Sequence, residues 1–327
     1  MLDILIFVGQ FLIGLVAIVK GADWMTDGAA NVAKRFGIST LVIGMTIVAI
    51  GSSAPEFVVS ALAAIKGNTD MAIGNVVGSN IFNTLAIMGA TALVARVSAS
   101  RGNLRNDVPF AVLSSLVVLF AAFDSWFTPG AVNEISRSEG LLMLCIFAVF
   151  ISYTMAIAHK DADDTEQDKK EEAPATTPTP LYKDCTLIVI GLALLLFGGN
   201  WLVEGASGIA TLMGVSQAII ALTIVSIGTS APELAASMMA ARKGDTAMAL
   251  GNVVGSVVFN VFFVLGTAAA IHPLSLGDIS VIDISFLLGS TVLLWFFCKS
   301  HSALVRWEGV VLILVQVLYY VILVYNE

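Results

Sequence analysis

The stretch Thr46-Ile-Val-Ala-Ile-Gly-Ser-Ser-Ala-Pro-Glu56 returns later in the chain as Thr223-Ile-Val-Ser-Ile-Gly-Thr-Ser-Ala-Pro-Glu233, and each time a lone carboxylate follows a run of apolar residues. The match extends outward from there. Residues 21–93 and 198–270 align without a gap at a constant offset of 177, with about half their positions identical. A second motif travels with the first: Gly74-Asn-Val-Val-Gly-Ser-Asn-Ile-Phe-Asn83 is answered by Gly251-Asn-Val-Val-Gly-Ser-Val-Val-Phe-Asn260. A buried carboxylate in so apolar a setting is expensive, so a matched pair of them calls for a cationic partner.

Composition says what surrounds the acids. The chain of 327 residues is 57% hydrophobic and only 12% charged, with a mean hydropathy of +0.92. That is far from a soluble globular domain and predicts a polytopic membrane protein. Runs of roughly 20 apolar residues predict ten spans, near 3–20 (with helix continuing to about 35), 38–65, 70–95, 107–123, 140–158, 185–203, 217–241, 246–271, 280–298 and 304–325. The first run carries Asp3 in place of a basic leader and reads as a retained span.

The formal charge of −8 arises largely around Asp161–Glu172, where an acidic run passes into Ala-Pro-Ala-Thr-Thr-Pro-Thr-Pro. Such a composition builds no core, so 159–183 is expected to be a solvated linker. It divides a first half (1–158) from a second (184–327), each with five spans. Because five is odd, the second repeat must enter the bilayer from the opposite side, which predicts an all-α membrane protein of ten transmembrane helices arranged as two inverted five-helix repeats. With both termini outside, fourteen basic residues fall in inner loops and only Lys66 and Arg137 outside, the asymmetry expected of a multi-pass protein with a cytoplasmic linker. A bacterial inner membrane is the expected location.

The acidic spans have a mechanical logic. Pro55 and Pro232 remove a backbone donor and crowd the preceding turn, so each helix should break just before its glutamate. A break would free the carbonyls of Ala49 and Ser226 to meet a cation, with Ser52, Ser53, Thr229 and Ser230 adding hydroxyls. In the next span, Asn75, Ser79 and Asn83 recur every four residues and share one helical face, as do Asn252, Ser256 and Asn260. Gly74 with Gly78, and Gly251 with Gly255, are small-xxx-small pairs suited to close helix packing. Oxygen ligands of these kinds suit hard cations such as Ca2+ or Na+. Cys145, Cys185 and Cys298 show no paired spacing, and His159, His272 and His301 lie in or near expected loops, so neither a soft-metal site nor an enzyme with a histidine base is expected. No cofactor, nucleic acid or protein partner is expected beyond the bilayer and the cations these oxygens suit.

The doubled Gly-(Ser/Thr)-Ser-Ala-Pro-Glu and Gly-Asn-x-x-Gly-Ser motifs resemble the alpha repeats of the sodium/calcium exchangers, within the calcium/cation antiporter superfamily. The resemblance spans nearly the whole chain. It implies a ten-helix inverted-repeat fold and exchange of several Na+ for one Ca2+ by alternating access. It also implies ion ligands at Ala49, Ser52, Ser53, Glu56, Ser79 and Asn83, joined by Ser226, Thr229, Ser230, Glu233, Ser256 and Asn260. Many relatives, including the potassium-dependent exchangers, have aspartate where this chain has Asn260, which leaves no third carboxylate and puts a potassium requirement in doubt. If ionised, the two glutamates balance one Ca2+, whereas three Na+ leave an excess positive charge. Ca2+/H+ antiport on the same scaffold, with the glutamates carrying protons, is the alternative; a cation channel and a non-transporting scaffold are more distant ones. The segments at 21–35 and 198–215 are the expected moving elements.

Overall fold

The computed structural model describes residues 2–99, 103–126, 129–130, 132–168, 180–213, 226–277 and 279–326. A chain in hydrocarbon must satisfy its backbone polar groups internally, and this one does so as helices. In order they are α1 (Leu2–Phe36), α2 (Thr40–Ser52), α3 (Ala54–Ile65), α4 (Thr69–Val94), α5 (Leu104–Ala122), α6 (Arg137–Asp168), α7 (Leu181–Leu212), α8 (Ser226–Thr229), α9 (Ala231–Arg242), α10 (Thr246–Ile271), α11 (Val281–His301) and α12 (Arg306–Asn326). Among the described residues, eight helices are long and apolar enough to cross a membrane, and the bent pair α2/α3 makes up to nine. The span expected at 217–241 lies partly outside the described residues, which resume at α8 and α9.

The break in the first acidic span falls where the proline requires it. Ser53 interrupts the helix, Pro55 stands in the first turn of α3, and the two pieces meet at an angle of 48°. Helix starts elsewhere are capped from the sequence: Asn68 accepts from Met71 N–H at the head of α4, and Asp245 accepts from Met248 N–H at the head of α10. Gly67 and Gly244, each just before those caps, hold positive φ values of 73° and 84° that an L side chain resists.

Packing places α4 and α10 at the centre, where 78% of each most apolar stretch is buried, against 17% for α1. The peripheral α1 and α7 run antiparallel along a glycine seam. A Cβ on Gly21 would come within 2.7 Å of the Gly191 carbonyl, and one on Gly14 within 2.7 Å of the Gly198 carbonyl. Positions 14, 21 and 28 and positions 191, 198 and 205 follow a seven-residue spacing that the sequence reading passed over. The expected packing role holds for Gly251 and Gly255, whose backbone faces Leu41 and Met45 of α2. For Gly74 and Gly78, the residues at the equivalent offset, 218–222, are outside the described residues.

Two short antiparallel ladders tie the halves together, Val97–Ser98 (β1) with Ala303–Leu304 (β4) and Glu134–Ile135 (β2) with Leu274–Ser275 (β3). Helix enters the expected linker from both sides, with α7 beginning at Leu181. α6 continues to Asp168, ten residues into the expected linker, while 169–179 lie outside the described residues.

Candidate cation site

Glu56 and Glu233 open α3 and α9, each one residue after its proline and each fully buried. The N-terminal turn of a helix suits a carboxylate, because the unpaired N–H groups carry partial positive charge. Neither glutamate is held by its own half alone. Ser53 Oγ donates to Glu233 Oε1 at 2.7 Å, and Ser230 Oγ donates to Glu56 Oε1 at 3.3 Å. Exchanging each residue for its counterpart 177 positions away, Ser53 for Ser230 and Glu233 for Glu56, turns one pair into the other. Ser79 Oγ also reaches Glu56 Oε1, at 3.4 Å.

Buried polar atoms without a partner among the described residues fall on Gln10, Ser207 and Gln316 of α1, α7 and α12, and on five residues of the two acidic helices and their neighbours α4 and α10. The second carboxylate oxygens of Glu56 and Glu233, the Ser256 hydroxyl, the Asn260 Oδ1 and both side-chain polar atoms of Asn83 are buried with no hydrogen bond among the described residues. Natural proteins seldom leave such groups bare without a ligand to meet them. Asn83 and Asn260 each begin a π-helical turn, Asn83–Ile87 and Asn260–Leu265. Such bulges inside α-helices frequently mark functional sites. Among the described residues there is no cluster of three His, Cys, Asp or Glu side chains. The donor set is therefore two carboxylates with neutral oxygens, chemistry suited to a hard cation.

Other expected ligands stand in less simple positions. The Ala49 carbonyl does not lose its helical partner, because it accepts the Ser53 N–H at 3.0 Å; the missing donor, Pro55, stands two residues further on. Ser52 Oγ also approaches the same carbonyl, at 3.4 Å. Ser52 Oγ is turned toward Asn252 Oδ1 at 3.3 Å. Thr229 closes α8 and is half-buried, and Ser226 opens that helix directly after the undescribed residues 214–225.

The polar stripes on α4 and α10 divide into two duties. Asn75 donates to the Glu56 carbonyl at 3.1 Å and to Ser60 Oγ at 2.9 Å, and Asn252 repeats this with the Glu233 carbonyl at 3.3 Å and Ser237 Oγ at 2.9 Å. These asparagines fasten the acidic helix to its neighbour; the unpartnered groups lie further along the stripe. Sequence reasoning missed Ser60 and Ser237, although their conserved offset was visible. It also missed Asn80, which is fully buried and donates to the Val257 carbonyl of the opposite half.

Residues 6–156 and 184–325 match the family described as Sodium/calcium exchanger protein. Among relatives, the sodium/calcium exchanger MaX1 of Methanosarcina acetivorans is 32% identical over 96% of this chain and 97% of its own. A putative antiporter CaxA of Alkalimonas amylolytica is 41% identical over 80% of each chain, and the inner membrane protein YrbG of Escherichia coli is 31% identical over 89% of this chain and 88% of its own. Solved structures of the sodium-calcium exchanger NCX_Mj superpose closely; one soaked with Na+ and Sr2+ has a TM-score of 0.81 at 28% identity over 97% of this chain and 98% of that one. With both halves matched, the chain is a multi-pass membrane protein that belongs to the sodium/calcium exchanger family.

Proposed function

We propose that this chain exchanges Na+ for Ca2+ across the membrane by alternating access, using ten spans arranged as two inverted five-helix halves with the 159–183 segment on the cytoplasmic side and both termini outside. The observation that carries the reading is the reciprocal pair Ser53–Glu233 and Ser230–Glu56, with the outer oxygen of each glutamate bare. A two-fold relation of this kind makes one cavity from both halves. The antiparallel α1/α7 seam supports the inversion, since its contacts Gly14–Gly198 and Gly21–Gly191 exchange under the same offset.

The chemistry follows from counting charge and oxygens. Ca2+ takes six to eight oxygen ligands, and five bare oxygens wait here: two from the glutamates and one each from Asn83, Ser256 and Asn260. Carbonyls at Ala49 and Ser226, the hydroxyls of Ser52, Ser53, Ser79, Thr229 and Ser230, or water complete the shell. Two carboxylates neutralise one Ca2+, while three Na+ on the same ligands carry one charge more, so each cycle moves net charge. Shared ligands make the two ions compete. An empty cavity holding two close negative charges is a poor candidate for crossing, which couples movement to loading.

The test is 45-calcium uptake by purified protein in liposomes. Uptake driven by a Na+ gradient at fixed pH, insensitive to protonophore and absent in Glu56→Gln, is expected. Uptake that needs a pH gradient and ignores Na+ would replace this reading with Ca2+/H+ exchange, in which the same glutamates carry protons. Flux without any counter-ion would point to a channel instead.

A further inference from the structure

Asn80 has no counterpart in the second half, where the equivalent position is Val257, and it is the backbone carbonyl of that valine to which Asn80 bonds. The bond fixes an orientation. A carbonyl can only accept, so the Asn80 atom 3.2 Å away is the amide nitrogen, which turns Asn80 Oδ1 toward Asn260. That oxygen in turn needs a donor, which is Asn260 Nδ2 at 3.0 Å. The remaining atom of Asn260, its Oδ1, is the buried one with no partner. Asn83 occupies the equivalent place in the first half, and both its polar atoms lack a hydrogen bond among the described residues. Resting on the function proposed above, we propose that Asn80 is a positioning residue for cation binding: it relays the direction of the Val257 carbonyl through two amides, so that position 260 presents an oxygen and never an NH2 to the ion. It also matches the amide at 260, because a carboxylate there would set acceptor against acceptor at Asn80 Oδ1.

Ca2+ titration of the purified protein in detergent tests this, with the wild type, Asn80→Leu, Asn260→Leu and the double variant. Without its guide, Asn260 turns either end to the ion, and we expect Asn80→Leu to weaken Ca2+ binding about tenfold, the scale of one buried hydrogen bond. The double variant should bind no worse than Asn260→Leu alone, because Asn80 acts only through that residue. Wild-type affinity in Asn80→Leu, or losses that multiply in the double variant, overturns the inference. Should Asn80→Leu fail to fold, Asn80→Ser decides the same question, since the short hydroxyl cannot span both partners. A wild type that binds no Ca2+ removes the exchanger reading itself, a separate failure.

A second observation stands apart from the ion site. Lys243, at the end of α9, gathers four oxygens of α1: Asp23 Oδ1 at 2.7 Å, Asp27 Oδ1 at 2.8 Å, the Asp23 carbonyl at 2.7 Å and Thr26 Oγ1 at 3.0 Å. The offset of 177 maps Lys243, Asp23, Asp27 and Thr26 onto Lys66, Asn200, Glu204 and Val203 of the opposite end. There Lys66 is exposed and makes no ion pair with a described residue, while Glu204 accepts from Asn200 and Gln10. The geometry points to a latch that fastens α1 to α9 while the opposite end stays open, with Lys66 and Glu204 closing the alternate state. One carboxylate and an amide replace two carboxylates at that second end, so the state seen here is favoured. In a background without the native cysteines, the labelling rate of Ala240→Cys, buried on α9, by a water-soluble maleimide reads the latch. Lys243→Gln and Asn200→Asp should each raise it about threefold, the scale of a partly exposed ion pair. Rates unchanged in both overturn the latch.

Discussion

The crossing of α2 over α10 offers a sharp test of how tightly packing sets the ion site. Gly255 lies one residue before Ser256 and against the turn of α2 that leads to Ala49, Ser52 and Ser53. A Cβ there would meet Met45 Cα and the Met45 carbonyl at 2.6 Å and Ala49 Cβ at 2.8 Å. Comfortable carbon contacts need about 3.5 Å, and the obstacle is backbone, which cannot rotate away. Gly255→Ala must therefore drive α2 outward by roughly 0.8 Å, at an overpacking cost of about 1–3 kcal/mol. That shift exceeds the spread of roughly 0.3 Å in normal Ca2+–oxygen distances, so ligands on α2 and α10 no longer close on one ion. Thermal unfolding in detergent and Ca2+ titration read both consequences. Gly289→Ala is the control, since Gly289 is exposed on α11 with no atom within 4 Å, and a helical Ala is about 1 kcal/mol better than Gly. A Gly255→Ala protein with wild-type melting temperature and Ca2+ affinity would refute the close-crossing account.

Saturating Ca2+ at about 100 times its dissociation constant should stabilise the folded protein by about 2.7 kcal/mol, seen as a raised melting temperature that Glu56→Gln and Glu233→Gln lose. Ser53→Ala removes the 2.7 Å bond to Glu233, a charge-assisted contact of about 1.5–3 kcal/mol, and should weaken Ca2+ binding at least tenfold in the same titration. Asp245→Ala strips the cap of α10 and the 2.7 Å bond from Thr40, costing about 1–2 kcal/mol of stability on thermal melts while leaving uptake per folded molecule unchanged.

Much of this was legible because one rule, the offset of 177, carries both chemistry and geometry. It identified Glu56 with Glu233 and Ser53 with Ser230, and a proline before each acid fixed the break. It could not say that the serine of one half would hold the acid of the other, since crossing bonds depend on how two helices meet. The Ala49 carbonyl was misjudged for a local reason: a proline releases the carbonyl four residues before it, and from Pro55 that position is Gly51. The π turns at Asn83 and Asn260 carry no composition signal of their own. Asn80 escaped notice because the search favoured what repeats, and Asn80 is where the repeat fails.

That failure bears on how a duplicated site can still distinguish its cargo. In a perfectly two-fold cavity each ligand would have an equal twin, and a single ion on the axis would see identical fields from both sides. Here the glutamates and their serines keep the symmetry, while Asn80 and Val257 break it at the next turn of the helix. One asparagine is tied at its nitrogen and shows only oxygen; the other, Asn83, has no hydrogen bond to its side chain among the described residues. A cation with a demanding shell gains from the fixed oxygen, and one with looser needs gains little. Releasing Asn260 through Asn80→Leu should therefore weaken Ca2+ more than Na+, narrowing the ratio of the two affinities measured by titrating each ion alone. Equal losses for both ions would place discrimination in the carboxylates and leave the broken symmetry without a role in selectivity.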